Sequence, residues 1–116
     1  MTANSTASRK AKGRKLQQWV RDKILARFPT LELDDVRSTG MGQGGEDIQL
    51  SPKARSLFPY TVECKNCERI NVYKFYEQAC QHTDKGEPLV VLKSNHKKPL
   101  AVVDAEFFLE RMKIDE

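Results

Sequence analysis

The spacing of apolar residues predicts a first helix over residues 13–28. Apolar side chains recur there at the period of one helix face, at Leu16, Trp19, Val20, Ile24 and Phe28. Pro29 follows directly, and a proline at that position ends a helix.

Alternation of polar and apolar positions predicts strands in the next part of the chain. A short alternating stretch covers residues 31–36, and residues 38–45, which hold four of the six glycines, must form a loop. Residues 47–50 and 60–65 alternate as half-buried strands do, and residues 51–59 connect them.

The second half of the chain returns to helical and then to extended patterns. Asn71 is a candidate cap for a helix that runs to about Asp84 and is closed by Gly86. Residues 88–92 and 100–103 read as two more strands. Asp104 begins a final helix, whose inward-facing residues we expect to be Ala105, Phe108, Leu109 and Met112.

These elements follow the order αβββαββα, which predicts an α/β fold. Because one helix separates the two groups of strands, a crossover is possible, and we expect a central mixed β-sheet flanked by helices. Residues 1–12 are predicted to form a flexible basic arm, and residues 13–116 a single domain.

Composition excludes several classes of protein. The chain has 116 residues and a formal net charge of +4, and its apolar runs are far shorter than the roughly 20 residues that cross a bilayer. The first residues lack the apolar segment of a secretory signal, and three cysteines suit a reducing compartment better than a disulfide scaffold. We therefore expect a cytoplasmic protein with no membrane association.

Basic residues are concentrated at the amino-terminal end. The first 15 residues contain no acid and five cations, namely Arg9, Lys10, Lys12, Arg14 and Lys15. Such a segment attracts polyanions such as DNA, although a merely solubilising tail remains an alternative. Further candidate phosphate contacts lie in loops and turns, namely Arg37, Ser38, Thr39, Lys53, Arg55, Lys93, His96, Lys97 and Lys98. Solvated turns are the alternative interpretation of these residues.

An acid and an amine share one face of the strand at 60–65. Side chains alternate along a strand, so Glu63 and Lys65 point away from the core residues Val62 and Cys64. The neighbouring strand begins at Asp47, which brings two carboxylates together. Close carboxylates need a cation between them, and oxygen ligands suit Mg²⁺ or Mn²⁺.

Other groups near this metal ion have predicted roles as ligands or in catalysis. The backbone carbonyl of Cys64 is a candidate third ligand, and water or phosphate oxygens would complete an octahedron. Lys65 is placed to orient or deprotonate an attacking water, or to balance charge on the phosphate. For the Glu63 and Lys65 pair taken alone, an exposed surface ion pair is the alternative.

A zinc site is a second metal hypothesis. Cys64, Cys67, Cys80 and His82 are four soft ligands, which is enough for zinc. Cys80 and His82, however, lie two residues apart on a predicted helix and so face in nearly opposite directions. Ordinary half-buried thiols are the favoured interpretation.

Two short segments carry a resemblance to a known family. Gly45-Glu46-Asp47-Ile48 is followed, with 16 residues from Asp47 to Glu63, by Val62-Glu63-Cys64-Lys65-Asn66. This pattern resembles the PD-(D/E)xK nuclease superfamily and, within it, the small Holliday junction resolvase-like group of phages and archaea. The likeness extends over residues 13–109, including the segments 73–79 and 88–91.

The resemblance implies a restriction-endonuclease-like core that cleaves DNA phosphodiesters with a divalent metal. It assigns Asp47 and Glu63 as metal ligands, Lys65 as the motif lysine and Gln78 as the glutamine of the following helix. It also implies a homodimer, DNA recombination or repair as the context, and branched or structured DNA as the substrate.

Two positions depart from the family pattern or leave a choice. Many relatives carry a glutamate on the first helix where this chain has Gln17, and an amide would hold a second metal only weakly. Glu46 competes with Asp47, which the family's Gly-x-Asp pattern favours. Functionally, a less selective repair nuclease and a non-catalytic nucleic-acid-binding module remain alternatives.

Overall fold

A five-stranded mixed sheet lies at the centre of the computed structural model, which describes residues 6–39 and 46–113. In these ranges the helices are α1 (Thr6–Arg27), α2 (Pro52–Leu57), α3 (Val72–His82) and α4 (Ala105–Glu110). The strands there are β1 (Val36–Ser38), β2 (Ile48–Leu50), β3 (Tyr60–Asn66), β4 (Glu87–Lys93) and β5 (Leu100–Val103). The predicted α/β class, with a mixed sheet and flanking helices, is confirmed.

The strands lie in chain order across the sheet. Neighbouring strands run antiparallel except for β3 and β4, which run parallel. A parallel pair requires a crossover connection, and α3 is the helix between these two strands. The strand order places β3 at the centre of the sheet, and β3 is the strand that carries the candidate acid and amine.

Helix α1 covers one face of the sheet. Its apolar side chains form a buried cluster with alternate residues of the strands, and the cluster includes Leu16, Val20, Ile24, Val36, Ile48, Val62, Leu89 and Val91. Half-buried Cys64 packs against the same cluster. The even-numbered side chains of β3 therefore point toward α1.

Helix α3 packs on the other face, where Ala79 is buried against Val90 and Leu92 of β4. Phe75 and Tyr76 add half-buried rings to this smaller cluster. Since successive side chains of a strand alternate between faces, the odd-numbered residues of β3 lie on the α3 side.

Side-chain caps begin three of the helices. The side chains of Asn71 and Asp104 accept hydrogen bonds from the backbone N–H groups of Lys74 and Phe107, so both predicted helix starts are confirmed. At α2, the side chain of Ser51 caps in the same way and Pro52 occupies the first turn. The sequence analysis treated residues 51–59 only as a connection and missed this short helix.

Gly86 closes the segment between α3 and β4. Its φ of +77° lies in the left-handed region, and an added Cβ would lie 2.8 Å from the carbonyl oxygen of Pro59. Only glycine tolerates both the backbone conformation and this close approach. The predicted turn at this position is confirmed.

The first helix begins earlier than predicted. It starts at Thr6, so residues 6–12, which were assigned to a flexible arm, are helical in the structure. Alanine, lysine and arginine dominate this segment, and they have high intrinsic helix propensity. The apolar face begins only at Leu16, and periodicity therefore could not locate the helix start. Residues 1–5 lie outside the described residues.

The predicted strand at residues 31–36 is wrong except at its last residue. Leu33–Asp35 forms a 3₁₀ turn, and β1 begins at Val36. The carboxylate of Asp35 accepts hydrogen bonds from the backbone N–H of Glu32 at 2.8 Å and from the hydroxyl of Ser51 at 2.6 Å. The local bond with Glu32 favours a turn over an extended strand, and the bond with Ser51 fixes the turn against the start of α2. Of the predicted glycine loop, residues 40–45 lie outside the described residues.

The inward face of α4 also differs from the prediction. Phe108, Leu109 and Met112 are exposed, and Ala105 is exposed as well. Phe107 instead packs edge-on against Tyr60, with ring centroids 5.6 Å apart. Because α4 has only six residues, it has too few turns to present the broad apolar face that the sequence pattern indicated.

In the described part of the chain, no helix has the length and apolar character needed to cross a membrane.

Packing of α1 on the sheet should account for much of the stability. Ile24→Ala removes a side chain that is 5% exposed, and we expect it to lower the free energy of unfolding by about 2–5 kcal/mol. Gln18→Ala, at an exposed position of the same helix, should change it by less than about 0.5 kcal/mol. Urea unfolding followed by circular dichroism measures both, and equal effects would contradict this packing.

Candidate functional site

Strand pairing places the two predicted carboxylates side by side. Ile48 of β2 is opposite Val62 of β3, so the preceding Asp47 lies beside Glu63 on the α3 face. The backbone N–H of Asp47 donates to the carbonyl of Val62 at 3.1 Å. In return, the backbone N–H of Cys64 donates to Oδ2 of Asp47 at 2.7 Å. These bonds hold the aspartate side chain against the middle of β3.

Glu63 is an unusual residue for the middle of a sheet. It is 7% exposed. Its pKa is raised from 4.5 to about 7, chiefly by burial and then by the negative charge of Asp47 and a hydrogen bond between the two carboxyl groups, whereas Lys65 acts in the opposite direction. Without a cation, a proton therefore stabilises this pair of carboxyls near neutral pH.

One oxygen of Glu63 lacks a hydrogen bond. Among the described residues, no donor reaches buried Oε1 with hydrogen-bond geometry. Nδ1 of His82 lies 3.4 Å from this oxygen, on a side chain that is 60% exposed. A buried carboxylate oxygen without a donor is costly, and a metal ligand is one arrangement in which it is satisfied.

Lys65 extends from β3 toward α3. Its ammonium group lies 5.4 Å from the ring centroid of Phe75, which is a cation–π distance. Its charge lowers the pKa of Glu63, so the amine lies within electrostatic reach of the carboxylates. The predicted arrangement, two carboxylates and one amine on the same face of the sheet, is present.

One face of α3 lies over this site. Phe75, Gln78, Ala79 and His82 follow the spacing of a single helix face, and Gln78 is half-buried. The sequence pattern indicated His82 only as a candidate zinc ligand. Its spacing from buried Ala79, three residues away, is the signal that would have placed it on the sheet-facing side of α3.

Glu46 has a different partner from Asp47. Its Oε1 lies 2.9 Å from Nη2 of Arg55, and the two side chains form a partly buried ion pair. The structure therefore brings Asp47, and not Glu46, against Glu63, which is the arrangement that the sequence analysis favoured.

The donor set suits a hard divalent cation. Asp47 and Glu63 present carboxylate oxygens on one face, and among the described residues Oε1 of Glu63 has no hydrogen-bond donor. Across residues 6–39 and 46–113, no group of three or more His, Cys, Asp and Glu side chains is arranged to hold a metal. Two carboxylates alone could hold an ion that keeps several water ligands, as Mg²⁺ does. The carbonyl of Cys64 as a further ligand stays a prediction.

The zinc hypothesis has no support in the described structure. Zinc would need the four soft ligands to converge, and they form no metal-binding group there. Burial raises the pKa of the Cys64 thiol well above its ordinary value, which disfavours the thiolate that zinc binds. Cys80 is exposed on α3.

Gln17 is buried in α1, beside Leu16. Its position on the inward side of the helix agrees with the choice of Gln17 over Gln18, which is exposed. A role at the metal stays a prediction.

Several predicted phosphate contacts have partners within the protein. Arg55 donates to the carbonyls of Tyr60 and Lys85, each at 3.2 Å, in addition to its pair with Glu46. It is a structural residue, and its guanidinium has little capacity left for DNA. Lys53 donates to the carbonyl of Thr30 at 2.8 Å, and the hydroxyl of buried Thr39 donates to the carbonyl of Glu46 at 2.6 Å.

Other predicted contacts remain at the surface. Arg9, Lys10, Arg14 and Lys15 are exposed on α1, as are Arg37 on β1 and His96, Lys97 and Lys98 after β4. Lys12 and Lys93 are half-buried, and Ser38 is half-buried at the end of β1. Because residues 6–12 are helical, their basic side chains belong to the surface of α1 and not to the flexible arm that was predicted.

Comparison of the chain with family models, curated proteins and solved structures gives no match. The functional proposal consequently depends on the geometry of the site and on the motif in the sequence.

The raised pKa of Glu63 predicts a specific dependence of stability on pH. Below its ordinary pKa of 4.5 the carboxyl is protonated in both states, and the stabilising effect of the shift is complete. As pH rises through about 7, this contribution is lost, because the folded protein must ionise a buried group. Glu63→Gln should therefore become more stable relative to the unsubstituted protein as pH rises through this window.

Urea unfolding of the metal-free protein at a series of pH values measures this difference. Glu77→Gln, at an exposed position of α3, is the matched control for loss of a carboxylate. If the difference in the free energy of unfolding between Glu63→Gln and the unsubstituted protein stays constant with pH, the pKa of Glu63 is not raised.

Proposed function

We propose that the protein is a divalent-metal-dependent DNA endonuclease with a restriction-endonuclease-like core. The observation that carries the proposal is the buried Oε1 of Glu63, which has no hydrogen-bond donor among the described residues. Glu63 lies beside Asp47 and precedes Lys65 by two residues on the same face of β3. A purely structural role for the buried carboxylate of Glu63 would not require a second carboxylate, that of Asp47, beside it. The PD-(D/E)xK-like spacing of the same three residues gives independent support.

The chemistry follows from the residues that surround the site. Asp47 and Glu63 would hold Mg²⁺ or Mn²⁺, which supplies Lewis-acid polarisation of a scissile phosphate when bound. The ammonium group of Lys65 orients an attacking water and offsets negative charge as it builds up on the phosphate. Gln78, on the sheet-facing side of α3, can donate a hydrogen bond from its amide to water or to a phosphate oxygen.

Substrate positioning is assigned to the basic surface of α1. The exposed cations of residues 9–15 carry no nearby acidic residue in sequence, and they suit contacts with phosphates that position DNA without reading its bases. We infer structured or branched DNA as the substrate class from the resemblance to junction resolvases. The context we propose is recombination or repair of DNA in the cytoplasm.

A homodimer belongs to the same proposal, because symmetric cleavage of a four-way junction requires two related sites. Large apolar side chains are exposed on β5 and α4, including Leu100, Phe108 and Leu109. Surface of this kind is commonly buried between subunits.

A non-catalytic nucleic-acid-binding module is the second candidate, and the ordered basic helix is the observation that favours it. Such a module would shift DNA in a gel without cutting it. A less selective repair nuclease would cut linear duplex and single strands as readily as a junction. Incubation with all three substrates, with Mg²⁺ or with a chelator, separates the candidates.

Substitution of the three central residues tests the proposal. Asp47→Asn, Glu63→Gln and Lys65→Met should each lower the rate of Mg²⁺-dependent cleavage by at least about 100-fold, because each removes a group that acts on the phosphate or its water. Binding of DNA without metal should stay within about threefold, since none of the three is needed to position the phosphates. Cleavage is followed on labelled junctions in gels, and binding by fluorescence anisotropy.

Glu46→Gln is informative beside these variants, because Glu46 adjoins Asp47 but pairs with Arg55. It should retain most of the cleavage rate. Full cleavage by all three central variants would end the nuclease proposal.

A further inference from the structure

A cavity lies on the opposite side of the sheet from Glu63. It has a volume of about 300 Å³ and lies between α1 and the carboxyl ends of β3 and β4. The residues on which its chemistry depends are Lys12, Lys15, Trp19, Asn66, Lys93 and Asn95. We propose that this cavity binds one unpaired nucleotide of the DNA substrate, an inference that rests on the proposed function.

The charged groups of the cavity favour an anion. Three lysines line it, and no aspartate or glutamate is among the lining residues. Two of the lysines, Lys12 and Lys15, come from α1, and Lys93 comes from the end of β4. Cations that converge from separate elements on one small cavity suit a phosphate group.

The aromatic and amide groups favour a base over a simple ion. Trp19 is 43% exposed in spite of its size and its position on a helix that covers the core. The ammonium of Lys23 lies 5.5 Å from its ring centroid, which helps to hold the indole in place. Nucleobases stack on such rings, and the amides of Asn66 and Asn95 can bond to their donor and acceptor edges.

The wall of the cavity is fixed by a direct contact between elements. The side-chain amide of Asn66 donates to the backbone carbonyl of Lys12 at 3.2 Å, which ties α1 to the end of β3. The cavity is therefore framed by contacts within the fold. A preformed site loses less entropy when it binds than one that must be ordered first.

The cavity also lies within reach of the proposed cleavage site. Asn66 follows Glu63 by three residues on β3, which corresponds to about 10 Å along the strand. DNA that passes around the end of β3 would place a nucleotide here only a few positions from the cleaved phosphate. A base in an intact duplex is paired and stacked, so the cavity selects for DNA with an unpaired base.

Intrinsic fluorescence provides a direct test, because Trp19 is the only tryptophan of the chain. The full-length Glu63→Gln protein is titrated without metal, so that no cleavage occurs, with a duplex that contains one bulged thymidine and with the same duplex without the bulge. We expect the bulged duplex to quench the fluorescence and to bind about 5- to 100-fold more tightly, the range that stacking of one base provides.

Two variants separate stacking from general attraction to DNA. Trp19→Leu should remove most of the preference for the bulged duplex, measured by anisotropy of labelled DNA, and leave the affinity for the intact duplex nearly unchanged. Tyr73→Leu removes an aromatic residue that is 79% exposed on α3, outside the cavity, and should keep the full preference. Circular dichroism verifies that both variants are folded.

Equal affinity for the two duplexes, or an undiminished preference in Trp19→Leu, would overturn the inference. If Trp19→Leu does not fold, the affinities of the Glu63→Gln protein for the bulged and the intact duplex still test the inference. Quenching by polyglutamate as strong as that by the bulged duplex would assign the cavity to acidic peptides and would also overturn it. Junction cleavage by the unsubstituted protein is assayed separately, so cleavage without a bulge preference refutes only this inference, and a preference without cleavage refutes only the nuclease proposal.

Discussion

Two carboxyl groups held side by side in a partly buried position are the constraint on which the rest of this molecule depends. Asp47 and Glu63 lie on neighbouring strands, on one face of the sheet, where burial and mutual repulsion both disfavour the doubly charged state. Backbone bonds to Asp47 keep the pair from separating. The pair is stable only when a proton, a nearby ammonium group or a metal ion offsets the charge, and that requirement links the fold to the proposed chemistry.

The surrounding elements can be understood as the support for this pair. The register of β2 with β3 sets which acid faces Glu63, and the ion pair of Glu46 with Arg55 holds the rival acid away. The crossover helix α3 brings Phe75 to Lys65 and His82 to Glu63. On the other face, α1 supplies apolar side chains to the cluster that buries β3 and also presents exposed basic residues.

Sequence reasoning succeeded where the signal is local and strong. The caps at Asn71 and Asp104, the turn at Gly86 and the alternation of β3 depend on a few neighbouring residues, and each was predicted. The juxtaposition of Asp47 and Glu63 was also predicted, because two adjacent strands with the right alternation leave few other arrangements. The roles of the two residues remain a proposal.

The features that were not predicted from the sequence also have physical explanations. The start of α1 has helix-forming residues but no apolar face, so periodicity did not extend to Thr6. The partners of Arg55 within the protein, the acid of Glu46 and two backbone carbonyls, could not be predicted either, because they come together only in the folded chain. The proximity of His82 to Glu63 and the position of Trp19 in the wall of a cavity were not predicted for the same reason, since the residues around them are distant in sequence.

The most direct measurement is the titration of the side-chain carboxyl of Glu63 by carbon NMR, assigned by comparison with Glu63→Gln. In the metal-free protein its pKa should be about 7, and saturating Mg²⁺ should lower it strongly, since the ion replaces the proton between the carboxyls. A pKa near the ordinary value of 4.5 that Mg²⁺ does not change would contradict the account.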